Sequence, residues 1–541
     1  LIVYDNYIQI AGNLLLNGFI DLDGEGQLIQ NTGSTLDNAS TGYIEIDQQG
    51  IGNRYRYNQW SSPVIPTGAV NGSPYSIGAV LNDGTVASSP GPILYTSGYD
   101  GSTGPLTLST YWMYKFTNSP DGSYASWFPI GSTGSLNPGE GYTMKGAGDP
   151  GAGDQNYVFI GKPNNGTITL TVGGNNDYLV GNPYPSAIDG FQFLIDNGPA
   201  GTGSIGGGGA IYFWEHYGGN SHNLKDYQAG YATLNNSGGV PATAGALPEV
   251  SPFGTPVKTP EQYIAIAQGF FVVADADGGT IEFNNGQRVF ETESSGNSIF
   301  MKGEASKTAS SSKTTADVRP KFRIGFEGAS ITHRQILFTV DENTSDAVDW
   351  GYEAEIYEMF DDDMFWTIND KKYVIQASNN VNVDKEIPLG IKSSGEQISI
   401  KVDALENVDE STELYIKDNV TGLTHTIKNQ SFDITLAKGE YLNRFSLVFK
   451  PQNTLGVEEE ILESGITVFM NNATSELQIK NTTTSEIESV ILYNSLGQSF
   501  GFWRNMFSNE TTLLPIKAAS GLYFVQINTT TGKIGKKVIV E

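Results

Sequence analysis

Cysteine is absent from this chain of 541 residues, so no disulfide, thiolate metal site or cysteine nucleophile can form. Histidine is scarce, at four residues: His216, His222, His333 and His425. His216 and His222 lie near each other, but no HExxH or similar spacing supports a metal site. No Gly-x-Ser-x-Gly elbow and no P-loop occur. Basic residues are few, 31 Lys and Arg against 59 Asp and Glu, for a net charge of −28. Phosphate binding needs Lys and Arg, so neither nucleic acid nor anionic lipid is an expected partner. No apolar run approaches the roughly 18 residues of a membrane-spanning helix. Helical periodicity is nearly missing too.

What is present is strand material. Aromatics make up 11% of the chain, and the 27 Tyr and 26 Phe favour strands over helices. The 65 glycines supply turns. The length predicts roughly three to four domains. We expect an all-β chain: a β-solenoid-like N-terminal end, then serial β-sandwich domains.

Residues 1–53 carry short apolar pieces such as Tyr7-Ile8-Gln9-Ile10, Phe19-Ile20-Asp21-Leu22 and Tyr43-Ile44-Glu45-Ile46. Their spacing fits stacked solenoid rungs, with a β-meander as the alternative. Residues 54–300 read as a larger β-rich region. Its single helical stretch is Ser186-Ala187-Ile188-Asp189-Gly190-Phe191-Gln192-Phe193-Leu194, with Ser186 as expected cap. Two Gly/Pro/Ala-rich loops, 198–209 and 237–260, are expected to move. Residues 301–319 form a Ser/Thr/Lys-rich linker with little to bury. Residues 320–450 alternate with period two, as a sandwich with one face in the core and one in water. An acidic linker, 451–464, precedes residues 465–541.

The last segment carries the clearest pattern. Tyr493-Asn494-Ser495-Leu496-Gly497-Gln498 reads as a hairpin turn, where Gly497 permits positive φ. Gly521-Leu522-Tyr523-Phe524-Val525 begins an alternating strand, and Lys533, Lys536 and Lys537 mark a basic closing strand. Such lysines deter edge aggregation or orient a docking edge. The set resembles the type A C-terminal sorting domain of the bacterial type IX secretion system. The resemblance covers about 75 residues at the end of the chain. It implies a small Ig-like sandwich of about seven strands recognised by the outer-membrane translocon and its shuttle protein. It further implies a route through the periplasm to the surface or medium of a Bacteroidota-type Gram-negative cell. A surface sortase often removes such a domain; if this one is removed, the cut is expected in the acidic linker around 453–463. The family's usual Tyr-Pro-Asn-Pro-like opening is replaced by Val468-Phe469-Met470-Asn471-Asn472-Ala473, without prolines. The chain opens at Leu1 with neither Met nor signal peptide, so the resemblance implies a mature product or a C-terminal fragment. Tyr55-Arg56-Tyr57-Asn58-Gln59-Trp60, Pro138-Gly139-Glu140-Gly141-Tyr142, Leu179-Val180-Gly181-Asn182-Pro183-Tyr184-Pro185-Ser186, Ile211-Tyr212-Phe213-Trp214 and Ala267-Gln268-Gly269-Phe270-Phe271-Val272-Val273 likewise resemble a module common in large surface proteins that carry this tail.

Other candidates are weaker. Asp361-Asp362-Asp363, with Glu355 and Glu358, reads as a solvated acidic loop or a structural Ca2+ site. Asp21-Leu22-Asp23-Gly24-Glu25-Gly26 reads as a turn, since the other ligands of a calcium loop are missing. No cofactor is expected. Trp60, Trp214 and Tyr212, with Trp112, Trp127 and Tyr217, would stack on sugars if exposed and fill cores if not. The function expected is a non-enzymatic exported surface protein, an adhesin or structural component linked to attachment or gliding. The alternatives are the C-terminal part of an exported hydrolase, and a carbohydrate-binding module.

Overall fold

The computed structural model describes residues 1–120, 124–245, 254–302, 317–451, 465–483, 485–504, 511–530 and 532–541. About 50% of it is strand and 5% helix, so the chain is all-β. It divides into two compact units, Leu1–Asn419 with His425–Lys450, and Val420–Thr424 with Pro451–Glu541.

The first unit opens with parallel ladders. Ile2–Tyr4 pairs with Phe19–Asp23, which pairs with Tyr43–Gly50. Tyr7–Ile10 lies along Gln27–Gln30, and Asn13–Leu14 along Thr35–Leu36. Tyr43–Gly50 then takes Gln155–Pro163 antiparallel, with Ile46 opposite Phe159. Sheet pairing therefore crosses the expected boundary at residue 53. So does the core: Leu22, Leu28 and Ile44 pack in one cluster with Trp60, Tyr142, Phe159 and Phe300.

A second core lies on a six-stranded sheet that includes Asn176–Gly181, Gly269–Val273, Ile211–Gly218 and Gln228–Asn235. Its helix is Gly190–Asn197, starting later than Ser186. Asp189 is the cap, because its carboxylate accepts from the amides of Phe191 at 2.9 Å and Gln192 at 3.3 Å. Ala187–Asp189 is a strand instead, paired with Tyr263–Ile264.

The glycine loop at 198–209 is a docking strap. Gly208 has φ +81°, and a Cβ there would sit 2.3 Å from the Glu353 carbonyl oxygen. Only glycine lets the two backbones approach this closely. The Gly351 amide donates to the Gly208 carbonyl at 2.6 Å, and Trp350 Nε1 donates to the Ile205 carbonyl at 3.1 Å. Of the second loop, residues 246–253 lie outside the described residues, while Ala244–Gly245 pairs with Ile331–Val340.

Residues 321–448 build a large sheet containing Lys321–Gly328, Ile331–Val340, Asp363–Ile368, Lys371–Ser378, Glu386–Ser393, Gln397–Glu406 and Gly439–Val448. Phe322, Phe338, Trp366, Leu389 and Phe445 fill its core. A further apolar layer joins it to the preceding region: Phe116, Leu179, Tyr212 and Phe271 pack with Leu337, Val374 and Ile375. Most of the linker, 303–316, lies outside the described residues, as does 452–464 of the acidic one.

Glu358 lies half-buried beside this layer and accepts the Tyr231 amide at 3.1 Å. Burial pushes its carboxyl up to about 7 from 4.5. A raised carboxyl favours folding fully below its unfolded value and loses that contribution as pH rises through the folded one. Ionised at pH 8, Glu358 costs on the order of 3 kcal/mol. Glu358→Gln should therefore stabilise the protein by about 1–3 kcal/mol at pH 8 and by almost nothing at pH 4.5. Denaturant unfolding at both values checks it; equal effects at the two would refute it.

The second unit is a sandwich of a three-stranded sheet (Ile466–Asn471, Glu476–Asn481, Thr511–Pro515) and a four-stranded one. The latter runs Ser499–Arg504, Ile487–Asn494, Gly521–Thr529, Lys533–Val540. Leu477, Ile479, Val490, Leu492, Val525 and Ile527 fill the space between them.

Candidate functional sites in the C-terminal sandwich and an aromatic loop cluster

Tyr493 is the penultimate residue of the strand Ile487–Asn494 in the C-terminal hairpin, and Gly497 takes φ +77° in its turn. The organising residue is Asn494. Its Oδ1 accepts from the amides of Leu496 at 3.0 Å and Gln498 at 2.9 Å, and its Nδ2 donates to Gln498 Oε1 at 2.9 Å. Asn is suited to this because its short side chain mimics a backbone turn. Asn494→Ala should cost about 1–3 kcal/mol locally. Hydrogen exchange on the full chain would show it as faster exchange at Leu496 and Gln498; unchanged protection there would refute the role.

The first hairpin closes without prolines. Asn471 Oδ1 accepts the Ala473 amide at 3.2 Å, and Ser475 takes φ +54°. Gly521 starts its strand, and a Cβ there would meet only ordinary van der Waals contact, with Tyr523 nearest at 3.8 Å. Tyr523 is buried and donates its hydroxyl to the Ala519 carbonyl at 3.1 Å. Lys533, Lys536 and Lys537 lie on the edge strand, with Lys533 and Lys537 exposed. The same sheet presents Phe502, Phe524 and Ile539 to solvent. Lys537 stands opposite Phe524, which stands opposite Tyr493.

The aromatic candidates are corrected by burial. Trp60 is 1% exposed and packs edge-on against Tyr157; Tyr212 is 2% exposed and stacks on Tyr357 at 4.3 Å. Neither offers a face to a sugar. Trp214 is half-buried against Tyr231. Trp127 packs against Phe116 and Phe271, and the Tyr217 hydroxyl donates to the Ala229 carbonyl.

The exposed rings lie elsewhere. Tyr99 is 56% and Tyr111 44% exposed, and they meet edge to face at 4.6 Å. Both contact Trp112, on which His222 stacks at 4.7 Å. Tyr55 packs on the other side of the cluster, 4.7 Å from His222. Beneath them Lys145 is nearly buried. Its ammonium lies 3.8 Å from the Trp112 ring centre and 4.6 Å from that of Tyr57. Lys145 Nζ also donates to Tyr227 Oη at 2.6 Å and lies 3.1 Å from His222 Nδ1. His222 Nε2 lies 3.0 Å from Asp100 Oδ1. Arg54 pairs with Asp149 at 2.6 Å and reaches Asp100 at 3.9 Å. Burial pushes the Lys145 amine down to about 7. Residues 55, 99 and 222 sit on separate loops and 111 in the 3-10 helix Thr110–Trp112, with no common period, so no local pattern marks them.

The remaining candidates are occupied. His216 is buried and accepts the Tyr57 amide; His333 pairs with Asp403; His425 stacks on Phe432. Asp363 forms an ion pair with Arg334, and Asp362 accepts from Ser330 and Ser394. Asp361 faces Lys392, and Glu355 faces Lys371. Asp21–Asp23 end the strand Phe19–Asp23, and Asp23–Gly26 is a turn: the Gly26 amide donates to the Asp23 carbonyl, with Gly24 at φ +64°. Among the described residues no three acidic or imidazole groups converge as a metal site.

Comparison with known proteins adds the following. Residues 467–541 match the model described as a secretion system C-terminal sorting domain. The chain is therefore a cargo of the type IX secretion system, exported to the cell surface or extracellular space. No helix of the described residues is long and apolar enough to cross a membrane. No curated protein matches the chain. Among solved structures, Tp47, the 47-kilodalton lipoprotein of Treponema pallidum, is 7% identical with a TM-score of 0.14. That match covers 69% of this chain and 90% of Tp47. The BSP domain of a biofilm associated protein is 8% identical with a TM-score of 0.12, covering 92% of each chain. Scores this low carry no argument. The other family model spans residues 85–449, more than half of the chain, and on that match this protein belongs to the family described as Domain of unknown function (DUF8693).

Proposed function

We propose that this exported protein is a non-enzymatic adhesin or structural component of the cell surface, serving attachment or gliding of a Bacteroidota-type cell. The observation that carries the reading is how the first unit spends its ionisable groups. Its inward-facing carboxylates hold the fold: buried Glu215 accepts the Val257 amide, buried Glu353 those of Ala377 and Asp349, and half-buried Glu358 that of Tyr231. Carboxylates engaged by backbone amides are anchors rather than acids and bases facing a substrate. The parallel ladders of residues 1–50 support reading that stretch as coils of a β-solenoid, an architecture suited to a stalk. Removal of the sorting domain by a surface sortase belongs to the same proposal.

The test is deletion of the protein from cells that produce it. Surface attachment or gliding should fall while hydrolase activity of the culture is unchanged. Normal attachment and gliding together with lost glycan or peptide hydrolysis would overturn the reading in favour of an exported hydrolase.

A further inference from the structure

We propose that the exposed Tyr99–Tyr111 pair is a binding platform for a neutral hexopyranose glycan. The proposal deepens the surface-protein reading and rests on it. Two large rings half in solvent and in mutual contact are costly to leave wet, and a contiguous exposed aromatic patch marks a binding surface. A tyrosine ring offers an apolar face to the C–H face of a pyranose.

The polar groups beside the rings fit the same ligand. Asp100, next in chain to Tyr99, is exposed and is held by His222 at 3.0 Å. Arg54 lies 3.9 Å from Asp100. Carboxylate and guanidinium together accept from and donate to the hydroxyls of one sugar. The charge selects among glycans: a chain with net charge −28, carrying Asp100 at the site, repels uronates and sulfated sugars.

The platform is held from below. The Trp112 indole donates to the Tyr99 carbonyl at 2.8 Å, and Lys145 lies 3.8 Å from the Trp112 ring centre. The two exposed rings thus sit on a fixed base, which limits the ordering lost on binding. Lys145 is a positioning residue.

The full chain would be titrated with hexamers of glucose, mannose, galactose and N-acetylglucosamine, and with oligomeric alginate as the acidic control. Binding of at least one neutral hexamer is expected, weakened about tenfold in Tyr99→Ala and in Tyr111→Ala. Tyr99→Phe should keep most of the binding, and Trp214→Ala all of it. Circular dichroism should show all four variants folded; both tyrosines are exposed, so their truncation leaves no cavity. Three results would overturn the proposal: no neutral hexamer bound, binding unchanged in both alanine variants, or alginate bound in preference. Glycan binding that fails while deletion still abolishes attachment sinks this site alone. Glycan binding through Tyr99 with normal attachment and gliding sinks the adhesin reading alone.

Discussion

A chain lacking residues 467–541 is expected to fold its first unit and never reach the cell surface. The sorting sandwich has its own core, from Ile466 to Val540, and its strands pair among themselves in the described residues. Its removal takes away no strand from the sheets of residues 1–450. What disappears is the element read by the export machinery. Cell fractionation with protease shaving checks the outcome: the truncated protein should be protected in the periplasm, with surface signal at background. Graft of residues 465–541 onto an unrelated periplasmic carrier should restore export of that carrier. Surface display of the truncated chain at the level of the intact one would refute the assignment.

Phe271→Ala should lower the stability of the whole first unit by about 3–5 kcal/mol. Phe271 is 2% exposed and lies between Phe116, Trp127 and Tyr231, in the layer that also holds Leu337 and Ile375. Truncation removes ring contacts on three sides and leaves a cavity that backbone hydrogen bonding prevents from closing. Because residues 54–300 and 320–450 share this layer and the pairing of Ala244–Gly245 with Ile331–Val340, they should melt together. Calorimetry should show one large transition moving down as a whole, beside a smaller one for the sorting sandwich that stays in place. Two transitions from the first unit, only one of them shifted, would mean that residues 54–300 and 320–450 fold independently.

Several strands were legible because their side chains alternate. Phe322-Arg323-Ile324-Gly325-Phe326 and Gly521-Leu522-Tyr523-Phe524-Val525 show period two, and both are strands. The Gly497 turn was legible for a local reason too, since positive φ and its residue preference are properties of a few neighbouring atoms. So was the export route, written in residues close together at the end of the chain. The strands Asp363–Ile368 and Lys371–Ser378 were missed; they are buried over nearly their whole length, and without a polar face alternation disappears.

The sequence by itself therefore determined the strand-built class, the acidic exterior, the exclusion of thiol chemistry and the sorting signal. Each depends on composition or on neighbours along the chain. Only the tertiary structure decided that sheet pairing and shared cores link residues on both sides of the boundaries expected near 53 and 320. It alone showed that Gly208 is a close backbone contact, and that Trp60 and Tyr212 face inward while Tyr99 and Tyr111 face water. An aromatic side chain serves a core or a binding surface equally well, and its composition is the same in both. Which of the two it becomes depends on contacts between residues far apart in the chain, such as Tyr212 with Tyr357 and Trp112 with His222, and these arise only when the sheets close.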